Sequence, residues 1–166
     1  MTVRAVYPGT FDPVHNGHID IAQRAARIFD EVHIAVYNHT SANTPRKREL
    51  FEVEERVRLA QQALMHIDNI KVALFSGFAV DYARQVGATV LVRGLRVFSD
   101  FEFEFRMGLA NKRLAPEIET IAIMTDEHHI AISSSTIREI AELGGDVSSM
   151  VPPFIAEALS KRYGYS

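Results

Sequence analysis

Five short apolar runs, Val3–Tyr7, Val32–Tyr37, Ile70–Phe75, Thr89–Val92 and Thr120–Met124, are separated by stretches that repeat with helical period. Runs spaced in this way pair as parallel strands joined by crossover helices. Helices are expected over Gly17–Phe29, Val53–His66, Ala79–Val86, Asp100–Leu114, Ser135–Leu143 and Phe154–Tyr163. Gly87 and Gly144-Gly145 follow two of these stretches, and Pro152-Pro153 precedes the last, as helix ends and starts prefer. Ser99 with Glu102, and Thr136 with Glu139, have capping-box spacing. Right-handed crossovers then give an α/β, Rossmann-like, doubly wound sheet of five parallel strands, in a single domain over residues 1–166.

In such a sheet, ligands bind beyond the carboxyl ends of the strands. The unusual residues of this chain fall there: Pro8–His18 after the first run, His39–Arg48 after the second, Ser76–Ala79 after the third, Arg93–Arg96 after the fourth and His128–Ser135 after the fifth.

Composition removes several classes of function. With 47% hydrophobic and 23% charged residues, and no apolar run of bilayer length, a soluble protein without a membrane role is expected. The chain opens directly on an apolar stretch with no leader pattern, so export is not expected. Zero cysteines exclude a thiol nucleophile or thiolate zinc site and fit a reducing cytoplasm. A net charge of −3 argues against nucleic acid as a partner, so any anion site must be built locally.

One such site is legible in Gly9-Thr10-Phe11-Asp12-Pro13-Val14-His15-Asn16-Gly17-His18, which leads from a strand into a helix. Gly9 and Gly17 allow close backbone approach, Thr10 offers a hydroxyl, and the helix start presents free N–H groups to phosphate. His15 and His18 stand three apart at that start. Arg93 and Arg96 suit phosphate oxygens with their forked donors, although they could instead pair with Asp100, Glu102 and Glu104. Ser133-Ser134-Ser135 opens a helix and would serve as a cap or as part of an anion site. His15, His18, His128 and His129 lack metalloprotease spacing, and no metal site is expected. Phe98, Phe101 and Phe105 share a helical stripe that reads as core or subunit contact, with Phe103 off it.

The first of these motifs resembles the nucleotidyltransferases marked by Gly-Thr/Ser-Phe-Asp/Asn-Pro and His/Thr-x-Gly-His. Arg93-Gly94-Leu95-Arg96 with Asp100-Phe101-Glu102-Phe103-Glu104, and Ile132–Arg138, are similar to the bacterial phosphopantetheine adenylyltransferases within that superfamily. The likeness extends through Asn111, Ala115–Thr120, Gly144–Val147 and Val151-Pro152, essentially the whole chain. It implies that Thr10 contacts both substrates and that His18 steadies the transition state. It places Phe11, Gly94, Leu95, Arg96, Glu104 and the stretch His129, Ile130, Ala131, Ile132, Ser133, Ser134 and Ser135 around ATP. Lys47, Ala79 and Arg93 would contact phosphopantetheine, with Arg46 and Arg48 as alternatives to Lys47. Thr10, His18, Lys47 and Arg96 are the implied catalytic set. Mg2+ held by ATP phosphates and water, dephospho-coenzyme A and pyrophosphate as products, coenzyme A as a competing feedback inhibitor and a homohexamer are also implied. His15 stands where this family more often has threonine, and His129 where it often has an aromatic residue. The former keeps adenylyl transfer to nicotinate or nicotinamide mononucleotide open as an alternative, beside a non-catalytic nucleotide-binding regulator.

Overall fold

A computed structural model describes residues 2–39 and 49–165. Strands β1 (Arg4–Gly9), β2 (Glu31–Tyr37), β3 (Ile70–Phe75), β4 (Val90–Leu95) and β5 (Glu119–Met124) alternate with helices α1 (Asn16–Ile28), α2 (Val53–Leu64), α3 (Ala79–Val86) and α4 (Phe98–Leu114). Helices α5 (Ser134–Glu142) and α6 (Pro153–Tyr163) follow β5. All strand pairs are parallel, in the order β3-β2-β1-β4-β5. The doubly wound, Rossmann-like α/β fold is the expected one, and element ends differ from the sequence reading by at most three residues.

Both faces of the sheet are covered, which is why the central strands read as continuous apolar runs. β1 sends Ala5 and Tyr7 into a core shared with α1, α2, α5 and α6, and Val6 into a second core with Val80 and Ala83 of α3. β1 pairs with β2 along its full length, from Arg4↔Glu31 to Gly9↔Val36. Against β4 it pairs only at Ala5↔Val90 and Val6↔Leu91. Beyond that point comes Pro8, which has no N–H to give to a ladder. Its carbonyl is taken by the Arg93 side chain on β4 at 2.9 Å, so a guanidinium spans the gap between the two strands. The strands part where the strand order reverses, which is the ligand-binding edge of such sheets.

Two expected caps are not those that form. α4 begins at Phe98 behind Val97, without a side-chain cap, and Ser99 with Glu102 makes no capping box. Asp100 instead turns back to the Arg96 backbone N–H and guanidinium, each at 3.1 Å. α5 is capped by Ser133, whose Oγ accepts from Thr136 N at 3.1 Å, rather than by Thr136 with Glu139. Ser133→Ala is therefore expected to lower stability by about 1 kcal/mol, read as a shift in the urea midpoint. The phenylalanine stripe is not core: no residue of α4 is buried, and Phe98, Phe101, Phe103 and Phe105 are all exposed.

Candidate active site

The parted ends of β1 and β4 open a cleft of about 350 Å³. The β1–α1 loop supplies Thr10, Phe11, Asp12 and His15, and the first turn of α1 His18; β4 and the turn after it supply Arg93, Gly94 and Arg96; α4 supplies Asp100 and Glu104. Ser133, Ser134, Ser135 and Arg138 enter from the start of α5. The structure thus brings together three stretches, far apart in sequence, that the motif reading singled out separately.

The two histidines cap α1 for one another. His15 Nδ1 accepts from Gly17 N at 3.1 Å and His18 N at 3.3 Å, while His18 Nδ1 accepts from His15 N at 3.3 Å. Their rings stack at 3.6 Å. A Cβ on residue 17 would sit 3.0 Å from the His15 ring, so Gly17 leaves the ring room that a side chain would crowd. A nitrogen that accepts carries no proton, so each neutral ring holds its proton on Nε2. Burial, then Arg96 and His129, push His15 down to about 3; burial, then His15, Arg96 and Arg93, hold His18 well below the ordinary histidine value. His18 therefore faces the cleft as a neutral Nε2–H donor. With both Nδ1 atoms taken, the histidines are not arranged as ligands, and no group of three or more His, Asp or Glu is placed to hold a metal among the described residues.

The cleft arginines do pair with the neighbouring acids. Arg93 grips Glu104 through Nε and one terminal nitrogen at 2.8 and 2.9 Å. Arg96 pairs with Asp100 and gives a further hydrogen bond to the Ile132 carbonyl at 2.9 Å. These contacts fix where the guanidinium planes stand, and both arginines still line the cleft.

Other expected residues lie elsewhere. Leu95 closes β4 and faces a separate hollow with Phe101 and Phe105. His129 ends a 3-10 turn (Glu127–His129), Ile130 and Ala131 are exposed, and Ile132 is buried in the core. None of these five is among the cleft-lining residues, nor is Ala79, the first residue of α3. Lys47, with Arg46 and Arg48, lies outside the described residues.

Sequence reasoning missed Arg56, Asp12 and Arg138 as working parts. Arg56 is fully buried, and its donors reach the carbonyls of Thr10 (2.7 Å), Tyr37 (2.9 Å) and Phe51 (3.1 Å) and the Glu49 carboxylate (3.0 Å). Asp12, also buried, accepts from Leu50 N at 2.7 Å and Phe51 N at 3.0 Å, and Arg138 donates to its backbone carbonyl. The signal was present: Arg56 occupies a core position in the stripe Val53, Arg56, Ala60, Ala63 of α2.

The family described as cytidylyltransferase-like matches residues 6–140. The chain is 51% identical over 164 residues to the phosphopantetheine adenylyltransferase of Roseiflexus sp. strain RS-1, covering 99% of each. It is 49% identical over 163 residues to that of Thermomicrobium roseum, covering 98% of this chain and 96% of the relative. The chain belongs to the phosphopantetheine adenylyltransferases. Solved structures below 20% identity share the fold alone. A provisionally named nicotinate-nucleotide adenylyltransferase from Vibrio parahaemolyticus superposes with a TM-score of 0.71 at 19% identity, covering 96% of this chain and 99% of that one.

The histidine pair of this phosphopantetheine adenylyltransferase has a consequence for pH. In the unfolded chain His15 titrates near 6.5, whereas in the folded one it titrates at about 3. Below pH 6.5 the unfolded chain takes up a proton that the folded chain refuses, so stability is full above that pH and falls as the solution is acidified. His15 alone should cost about 2 kcal/mol between pH 6.5 and pH 5, with His18 acting in the same direction. Urea unfolding at pH 7, 6 and 5 checks this. His15→Thr, which keeps a capping oxygen but cannot titrate, should flatten the decline; an equal slope in the variant would remove His15 as its source.

Proposed function

We propose that the chain transfers the adenylyl group of ATP to the phosphate of 4′-phosphopantetheine, reversibly giving dephospho-coenzyme A and pyrophosphate in coenzyme A biosynthesis. The observation that carries this reading is the end-to-end match, at 49–51% identity, to relatives bearing that name. A phosphate oxygen of the acceptor attacks the α-phosphorus of ATP in line, and the bond from that phosphorus to the pyrophosphate oxygen breaks. The nucleophile arrives as an anion, so no general base is needed. His18 fits that chemistry, since its cleft-facing nitrogen is a donor and has no lone pair to take a proton. Its part is to meet charge growing on the α-phosphate oxygens, while Thr10 aligns the acceptor and Arg96 and Lys47 add positive charge. Ser133–Ser135 and the free N–H groups at the start of α5 suit the polyphosphate.

Mg2+ bound with ATP would neutralise the departing pyrophosphate. The cleft carboxylates are engaged, Asp12 by backbone N–H groups, Glu104 by Arg93, Asp100 by Arg96 and Glu49 by Arg56, which suits an ion held by phosphates and water. The exposed phenylalanines of α4 suit burial against further copies, in keeping with a hexamer. Coenzyme A, sharing the product's pantetheine arm, would compete at this cleft as a feedback inhibitor. A cytoplasmic location fits a chain without cysteine in which no described helix is long and apolar enough to cross a membrane.

Pyrophosphate release from ATP and Mg2+ is expected with 4′-phosphopantetheine and not with nicotinate or nicotinamide mononucleotide. Release only with the mononucleotides would establish the alternative acceptor. ATP binding without turnover on any of them would make the chain a regulator.

A further inference from the structure

We infer that Arg56 and Asp12 are positioning residues for this reaction: from beneath the cleft they fix the turn that presents Thr10 to the acceptor phosphate. The inference rests on the proposed function. It begins with Phe11, whose φ of +51° lies in the left-handed region, a costly conformation for a bulky side chain. Such a conformation persists only where the surroundings over-determine it, and here the residues on either side are both held. Arg56 binds the Thr10 carbonyl on one side; the Asp12 carboxylate is bound by the Leu50 and Phe51 N–H groups on the other. Arg138 takes the Asp12 carbonyl as well.

Packing and charge balance do not account for Arg56. A buried guanidinium is costly to desolvate, and an apolar side chain would fill the same space in α2 more cheaply. Its donors are spent on three backbone carbonyls from separate places, the β1–α1 loop, the end of β2 and the entry to α2, with Glu49 as the only carboxylate among the described residues. What the planar fork supplies is a fixed angle between those three segments. Thr10 belongs to one of them, and its side chain lines the cleft. Arg56 itself does not line the cleft, so it acts through Thr10.

The test is a double-mutant cycle on kcat. Arg56→Lys keeps the charge but cannot reach all three carbonyls, and should lower kcat tenfold or more with the KM for ATP within twofold of wild type. In a Thr10→Val background, where there is no hydroxyl left to place, the same change should cost less than threefold. Asp12→Asn, which keeps one accepting oxygen and puts an amide against the second N–H, should follow the same pattern and decides the matter if Arg56→Lys does not fold. Equal losses in both backgrounds, or a lower melting temperature with unchanged kcat, would overturn the inference while leaving the function in place. A wild-type chain that releases no pyrophosphate with phosphopantetheine would overturn both.

Discussion

His18→Ala is expected to lower kcat about a hundredfold or more while the affinity for each substrate changes little. The effect follows from what the side chain is in this structure. Its Nδ1 is held by the His15 backbone N–H, which fixes the ring and leaves Nε2–H as a donor toward the cleft. A preorganised donor directed at charge that develops only in the transition state is worth about two to three powers of ten in kcat, and little in ground-state binding. Steady-state kinetics with both substrates, together with calorimetric binding of ATP, separates the two effects. A variant with wild-type turnover would remove His18 from the mechanism. Since His18 stays neutral far below the usual histidine range, the wild-type kcat should show no histidine ionisation between pH 6 and 8.

Arg56→Met is expected to be the most damaging single change to stability, at about 3–5 kcal/mol, because it strips the partner from a half-buried carboxylate and three carbonyls at once. The methionine fills much of the volume, so the loss measures unmet polar groups rather than a cavity. Urea unfolding at pH 8, well above the histidine titration of the unfolded chain, is the appropriate measurement. A loss below about 1 kcal/mol would mean that those carbonyls find other partners easily.

The architecture was legible because it depends on local pattern. Val32–Tyr37 and Ile70–Phe75 are apolar apart from His33 and Lys71, and Gly87 ends α3 at φ +70° as a helix-terminating glycine should. The motif residues Thr10, His18, Arg93, Arg96 and Ser133–Ser135 were found for the same reason, being consecutive or nearly so. What spacing could not show is competition between partners. Ser99 with Glu102 has the right interval for a cap, yet Asp100 is claimed by Arg96 and the helix starts earlier. His15 and His18 read as two histidines three apart at one helix start, and spacing does not reveal that each spends Nδ1 on the other's backbone. Arg56 reads as one more charge on an amphipathic helix. Its role depends on Thr10, which is 46 residues away in sequence, and no local window contains both.

Pro8 bears on the thermodynamics of ligand capture. A proline in a central strand removes a rung that would otherwise draw β1 toward β4, and a covalent ring cannot be re-formed into a donor by any fluctuation of the chain. The space between the strands is accordingly built into the fold, and no backbone rung between β1 and β4 has to be broken there when a nucleotide enters, the bridge across it being the Arg93 side chain. Free energy from contacts with phosphates is then kept for affinity and for the transition state instead of being spent on prying the sheet apart. Crystals of the protein with and without nucleotide should show the β1 and β4 backbones superimposed, with any closure confined to side chains and to the loops at the sheet's edge.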